Sequence, residues 1–370
     1  MLGIGTKKSY ISMSKRILVL SPHPEGVAPG QRLKYEQYFD YFREDGYEIT
    51  VSPFRVMPFE KIVYKKGYLL QKIFFTLVGY VKRIYDLMRL PFYDGAYVFL
   101  YVTPFGTPFF EFLMRIIAKT YIYDIDDMVF LQHKSKANPY VSFFKGKKKM
   151  SYLMKHAKHV ITCTPTLDEY ARKFNNNTTD ISSTINTDTY KPVNSYKNDH
   201  KIVLGWSGSI STSKYLYLLK DVLIKLHTKH DFILRVIGDP KFCIDGLEIE
   251  SLPWVEKSEV KDLQKIDIGL YPLPDDPWVH GKSSLKAIQY MGLGIPPIAT
   301  RIGTTPRVIE DGVSGFLVTE EKEWVEKIEL LINNCNLRKS MGEKARSRVE
   351  ELFSIKANSS TYLSIFKSVY

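Results

Sequence analysis

Arg16-Ile17-Leu18-Val19-Leu20-Ser21-Pro22-His23-Pro24-Glu25-Gly26 is a short apolar run that stops at a Pro/Gly loop, and Gln31 to Gly46 follows with a helical pattern. Five residues are too few for a stable helix and enough for a strand, so the unit reads strand, loop, helix, the opening of a doubly wound α/β domain. The rhythm continues at Glu48 to Pro53, Ala96 to Val102, Thr120 to Ile125 and His159 to Cys163. These runs are continuous rather than alternating, as expected of parallel strands buried on both faces. The pattern lapses in Lys191-Pro192-Val193-Asn194-Ser195-Tyr196-Lys197-Asn198-Asp199-His200, a polar stretch with a proline. It then restarts, with strands at Ile202 to Trp206, Phe232 to Gly238, Ile266 to Tyr271 and Pro297 to Thr300, and helices at Ser213 to His227 and Ser284 to Gly292. Two Rossmann-like domains in tandem are the economical reading.

Length agrees. At 370 residues the chain exceeds one compact core and suits two domains of about 150–200 residues each. Composition is that of an ordinary globular protein, with 44% hydrophobic and 25% charged residues, which excludes a disordered or collagen-like chain. No fixed-period repeat is present, which excludes solenoids and propellers. Charge is unevenly shared: the net +12 is +11 over residues 1–200 and +1 over 201–370. Aromatic content is high at 14%, and much of it lies in the basic half, a combination that fits a nucleic acid or an anionic membrane as partner. Cys163, Cys243 and Cys335 are odd in number and far apart, against a disulfide framework or zinc site and in favour of a reducing cytoplasm. Lys7, Lys8, Lys15 and Arg16 precede the first strand without an apolar core of their own, so no signal peptide is expected. The apolar stretch Leu69 to Val81 contains Gln71 and Lys72 and falls short of the roughly 20 residues that span a bilayer.

Three segments carry candidate chemistry. In doubly wound sheets, ligands bind where loops leave the carboxyl ends of strands, and helix N-termini there offer N–H groups to phosphates. Gly205-Trp206-Ser207-Gly208-Ser209 with Lys214 is such a loop; a plain structural turn explains it equally well, with Ser209 as cap and Lys214 as surface charge. His280-Gly281-Lys282-Ser283-Ser284-Leu285-Lys286-Ala287-Ile288-Gln289 is more specific: a Gly-Lys-Ser-Ser opening can hold a diphosphate, and Lys282, Lys286 and Gln289 share one helix face. A P-loop is excluded because its first glycine would fall on Asp276. Tyr123-Asp124-Ile125-Asp126-Asp127 ends a strand and reads as a metal-binding carboxylate pair, a catalytic carboxylate, or caps of the next segment. Outside these, Lys61 to Leu90 has seven basic residues against Asp86 alone, interleaved with Tyr64, Tyr68, Phe74, Phe75, Tyr80 and Tyr85. That suits an interfacial helix pair or a core helix with a solvated basic face. Gly146-Lys147-Lys148-Lys149 is a second basic cluster.

From Lys286-Ala287-Ile288-Gln289-Tyr290-Met291-Gly292-Leu293-Gly294-Ile295-Pro296, and from Arg301-Ile302-Gly303 through Ile309-Glu310-Asp311-Gly312-Val313-Ser314-Gly315-Phe316-Leu317-Val318, the chain resembles the retaining nucleotide-sugar glycosyltransferases of family four, also called group one. Glu323-Trp324, Leu337-Arg338 and Met341-Gly342 continue the likeness. The resemblance implies a GT-B fold: an acceptor-binding Rossmann-like domain over 1–192, a donor-binding one over 200–352, and a C-terminal helix, 353–370, crossing back to the first. The family carries two glutamates eight residues apart; Gln289 stands at the second position and Gly281 at the first. Its Gly-Arg-x4-Lys phosphate pair maps to Gly208, Ser209 and Lys214, so the arginine is replaced.

The resemblance further implies a donor site of Gly208, Ser209, Lys214, Trp254, Lys282, Ser283, Ser284, Lys286 and Gln289. Asp126, Lys214 and Lys282 would act in catalysis, with Asp126 standing where many members have a histidine facing the sugar. Gly26, Gly30, Arg32 and Asp127 would border the acceptor, His23 being a weaker candidate base. The expected activity is metal-independent, retaining transfer from a nucleotide diphosphate sugar to a cell-envelope or lipid-linked glycan, with no cofactor. Such a protein would sit in the cytoplasm, peripheral on the inner face of the plasma membrane. Nucleic acid is not expected as a partner, although a non-enzymatic nucleic-acid or membrane-surface binder and a GT-B nucleotide-sugar epimerase stand as alternatives.

Overall fold

Short apolar runs separated by amphipathic segments place two parallel sheets in the computed structural model, which describes residues 14–126, 128, 147–193 and 201–370. The first sheet comprises β1 (Lys15–Ser21), β2 (Tyr47–Pro53), β3 (Gly95–Phe99), β4 (Tyr121–Asp124), β5 (His159–Thr162) and β6 (Thr178–Asp180), in the order β2-β1-β3-β4-β5-β6. The second comprises β7 (Ile202–Ser207), β8 (Phe232–Ile237), β9 (Ile249–Leu252), β10 (Ile268–Tyr271), β11 (Pro297–Thr300) and β12 (Phe316–Val318), in the order β12-β11-β10-β7-β8-β9. Strand direction is parallel throughout, as in β1 against β2 and β7 against β8. Chain order reverses direction at β1/β3 in one sheet and at β7/β10 in the other. Those two switch points are where doubly wound sheets open a crevice.

The central strands are buried along nearly their whole length, with Leu18, Val98, Ile122, Leu204, Leu234 and Leu270 all at 0–1% exposure. Continuous apolar runs therefore have both faces covered, as the sequence pattern requires. The edge strands β6 and β9 are half-buried and polar, and no apolar run announces them. Helix starts follow local chemistry: Pro165 opens one helix behind Thr164, whose hydroxyl accepts from the Leu167 N–H at 3.1 Å.

Two expected elements differ. Ser213 to His227 is a 3-10 stretch, Ser213–Leu219, followed by a helix, Lys220–His227. The Gln31 to Gly46 segment is a short helix Pro29–Arg32, a 3-10 turn Glu36–Tyr38 and a helix Phe39–Glu44. The break lies at Lys34, whose ammonium is drawn to the sheet end, 2.6 Å from Asp124 and 3.1 Å from the Ile125 carbonyl.

Four helices matter below: α1 (Leu69–Arg89), α2 (Phe109–Ile117), α3 (Leu285–Gly292) and α4 (Ile355–Val369). α4 returns to the first sheet, where Phe366 stacks on Phe42 at 3.9 Å and Tyr362 lies 4.3 Å from Tyr38. The Tyr370 hydroxyl donates to the Ala96 carbonyl at 2.6 Å. α4 thus completes the core of the first sheet, the crossing-back that the GT-B resemblance implies.

Candidate functional site

At the β7/β10 switch point the loop after β7 is pressed against its neighbour. Gly238 has a left-handed φ of 111°, and a side chain there would strike the Gly208 carbonyl; one at Gly208 would strike the Trp206 ring. The Ser207 N–H donates to the Tyr290 hydroxyl at 2.8 Å, fixing the loop to α3. Ser209 and Lys214 are exposed at the rim. The Lys214 ammonium lies 5.3 Å from the Tyr215 ring, and Tyr215 is 5.8 Å from Trp278.

Gly281 to Ser284 leads into α3. Ser284 caps the helix in the left-handed region, φ 57°, which a residue with a Cβ adopts only when its surroundings impose it. They do: Ser284 and Thr304 hydroxyls are 2.7 Å apart, Thr304 Oγ1 donates to the Lys282 carbonyl, and Ser283 Oγ is 2.7 Å from Ser183 Oγ of the first domain. The first N–H groups of α3 have no intrahelical acceptor.

Two lysines accompany that helix end. The Lys282 ammonium lies 4.4 Å from the Trp278 ring, and Lys286 lies 5.4 Å from Trp206 and 5.7 Å from Tyr271. Ring faces are negative and favour a cation, but they do not replace water. Burial, together with the charge of Lys282, lowers the Lys286 pKa to about 7. Among the described residues no carboxylate forms an ion pair with Lys214, Lys282 or Lys286. Cations, ring faces and a helix N-terminus in one place, with no paired carboxylate among the described residues, suit an anion.

Across the cleft, Asp126 follows β4, and its carboxylate lies against Gly30, where any side chain would collide with it. The Cys163 thiol reaches the Asp126 carbonyl at 2.8 Å and the Gly281 carbonyl at 3.7 Å. Met128 fills the space beside Gly281 that a side chain would need. A glutamate could not occupy position 281 without displacing it, which accounts for the glycine there. Asp126 is thereby brought to the Lys282 loop, and Asp127 lies outside the described residues.

Other predicted residues are engaged elsewhere. Arg32 pairs with Glu259 of the second domain at 2.7 Å, with its guanidinium 5.8 Å from the Trp254 ring. Gln289 is buried, and its amide donates to Tyr190 Oη at 2.9 Å and Glu259 Oε1 at 3.1 Å. Trp254 Nε1 donates to the same oxygen at 3.0 Å, and Tyr190 Oη to Glu259 Oε2 at 3.1 Å. Glu259 is thus the hub of a buried network joining both domains and the segment between them. No pattern in the sequence marks it, because its partners are up to 227 positions away. Gly26, at φ 79°, donates its N–H to Glu36 at 2.9 Å. His23 pairs with Glu60 at 2.8 Å, which ties it to the first domain's own loops.

Within the second basic cluster Lys148 is exposed and Lys149 is not. Lys149 is buried and donates to the Thr103 and Phe105 carbonyls at 3.0 and 2.6 Å, near Glu111, so it offers no charge to a partner; position 146 and the Lys147 side chain lie outside the described residues. In the Lys61 to Leu90 segment, Arg83 is fully buried on Asp86 and the Val102, Ser52 and Ser21 carbonyls.

Comparison with known proteins bears on the fold and on residues 201–334. Residues 201–334 match the family model described as Glycosyl transferases group 1. The N-acetyl-alpha-D-glucosaminyl L-malate synthase of Bacillus anthracis is 28% identical over 173 residues, 43% of this chain and 44% of that protein. The chain matches less than half the length of each of the curated relatives found. Sucrose-phosphate synthase from Thermosynechococcus elongatus has the same fold, with a TM-score of 0.70 at 15% identity over 96% of this chain and 98% of that one. HepE of Anabaena, solved with UDP and glucose, gives 0.67 at 15% identity over 96% and 100%. The chain therefore has the GT-B fold, and residues 201–334 within it are similar to the group 1 glycosyl transferases.

Proposed function

We propose that the chain transfers a sugar, with retention, from a nucleotide diphosphate sugar to a cell-envelope or lipid-linked glycan acceptor. The observation that carries this reading is the cationic cluster at the start of α3, where Lys282 and Lys286 sit on aromatic faces without a carboxylate partner among the described residues, across from Asp126. The fold shared with a protein solved with UDP and glucose supports a nucleotide-sugar donor.

In this reading the bond between the anomeric carbon and the diphosphate oxygen breaks while a bond to the acceptor hydroxyl oxygen forms on the same face. The leaving phosphate oxygen takes the hydroxyl proton. Negative charge grows on the diphosphate as the bond breaks, so Lys282, Lys286 and the α3 N–H groups stabilise the transition state more than the bound donor. Lysines then supply the charge a divalent ion would otherwise bring, so transfer needs no metal. The Asp126 carboxylate offsets the developing positive charge on the sugar ring, and Lys214 reaches the phosphates from the rim.

The test is turnover of a panel of nucleotide sugars in EDTA. Wild type is expected to turn over at least one donor, and Lys282→Ala and Lys286→Ala each to lose roughly 100-fold in kcat, as removal of a transition-state charge donor does. Failure of every donor to bind or turn over sinks the proposal.

A further inference from the structure

α1 is apolar on both sides, which a solvated surface helix is not. Its inner face packs on the first sheet through Gly79, Arg83, Asp86 and Leu87, so closely that a Cβ at Gly79 would meet the Phe54 ring and carbonyl. Its outer face repeats the apolar pattern at helical spacing: Leu70, Phe74, Leu77 and Val81 are 82, 60, 60 and 66% exposed, and Ile84 and Met88 extend the row. α2 lies beside it, joined by Tyr80 and Phe110 at 5.4 Å, and adds exposed Phe109, Phe112 and Ile116 at spacings of three and four. Most of the exposed large hydrophobic side chains among the described residues fall between Met57 and Ile116.

Charge selects what covers this face. Lys61, Lys65 and Lys66 are exposed just before α1, and Arg115 on α2, whereas Lys119 after it pairs with Asp94. The single carboxylate of α1, Asp86, is buried against Arg83, Arg89 and Ser52. The outer face of α1 is therefore apolar, bordered by the exposed lysines just before it and without an acidic side chain. A second copy of the chain, related by a two-fold axis, would bring these lysines against their own like. No helix among the described residues is long and apolar enough to cross a bilayer. The geometry points to α1 and α2 lying in the plane of an anionic bilayer surface, apolar rows in the acyl boundary and lysines on the headgroups.

The placement also aims the cleft. Arg83 binds the Ser21 and Ser52 carbonyls and Lys82 that of Pro53, the last residues of β1 and β2. The ten residues of α1 before Gly79 therefore reach about 15 Å beyond the carboxyl edge of the sheet, beside the loop that holds His23 and Gly26. A bilayer seated on α1 ends at the acceptor side of the site.

Co-sedimentation of the full chain with vesicles tests this, and it needs no sugar donor, so its failure leaves the transfer reading standing. Vesicles containing phosphatidylglycerol should bind the protein and phosphatidylcholine vesicles should not, with binding weakened by salt. Replacing Lys61, Lys65 and Lys66 by Gln should cost about fivefold in affinity per lysine. Leu70→Glu with Leu77→Glu should abolish binding while leaving the circular-dichroism melt unchanged, since both side chains are exposed. Equal binding to both vesicle types, binding that survives the glutamates, or a dimer in analytical ultracentrifugation that the same glutamates dissociate would overturn the assignment.

Discussion

Lys286 holds its charge at a disadvantage that a ligand can remove. Half-buried against Trp206 and Tyr271 and repelled by Lys282, it has its pKa lowered to about 7, so it loses charge near neutral pH. An unfolded chain keeps this lysine protonated to its ordinary value. Between about 7 and that value the unfolded state binds more protons, so the group's contribution makes the free protein more stable as pH rises, with the penalty fully present below about 7. A diphosphate reverses the balance by favouring the ammonium, so donor binding must take up a proton. Calorimetry of UDP binding at pH 8 in buffers of different ionisation enthalpy should show this uptake in wild type and lose it in Lys286→Met. Affinity should also fall between pH 7 and 9 in wild type alone; a flat profile would mean that Lys286 does not face the phosphates. The lysines themselves are readable as candidates from Gly-Lys-Ser-Ser and its spacing to Lys286. The lowered pKa is not, since it depends on rings contributed by β7 and β10.

Elements were legible where one local pattern decided them. Central strands such as β1 and β7 are uninterrupted apolar runs, and burial on both faces follows directly. β6 and β9 escaped because edge strands are half-solvated and carry polar residues. The helix expected from Gln31 breaks because the Lys34 ammonium is satisfied at the sheet end by Asp124, a partner that periodicity does not see. α4 shows the energetic side. Its aromatic face completes the first domain's core, and Phe366, 1% exposed, stacks on Phe42. Phe366→Ala should cost about 3–5 kcal/mol in urea unfolding, reported by the first domain's tyrosines. A loss within 1 kcal/mol would show that α4 adds little to that core. Its amphipathic spacing says only that one face is buried, and α1 shows how incomplete that clue is, since there both faces are apolar and one is open.

At the scale of the whole molecule polar links join the two domains. Among the described residues Arg32 meets Glu259, Arg307 meets Asp180 at 2.5 Å, Ser183 meets Ser283, and Arg346 donates to the Thr187 and Tyr190 carbonyls. Glu259 is the richest of these, accepting from Arg32, Tyr190, Trp254 and Gln289 through its two oxygens. Removing it strands a half-buried guanidinium and three donors, a loss of about 2–4 kcal/mol, below that of a fully buried pair. Glu259→Ala should therefore open the cleft in the absence of donor, seen as a larger radius of gyration by small-angle scattering, and lower the melting temperature. Unchanged scattering would show that the domains are held by other contacts. Charge has the same scale dependence. The +11 over residues 1–200 is partly spent inside, on Lys34, Arg83 and Lys149, and the remainder includes the lysines that border α1.

The sequence by itself determined the strand-helix alternation, the tandem arrangement, the phosphate-suited loop at Gly281 to Lys286 and the basic bias of the first half. Each of these is local, written in the spacing of neighbouring residues or in a sum over them. Only the tertiary structure decided that Gln289 and Arg32 serve a network around Glu259, that Met128 leaves position 281 to glycine, and that the outer row of α1 stays uncovered. Those outcomes depend on which distant side chains share one space, and burial, unlike periodicity, is a property of the assembled chain.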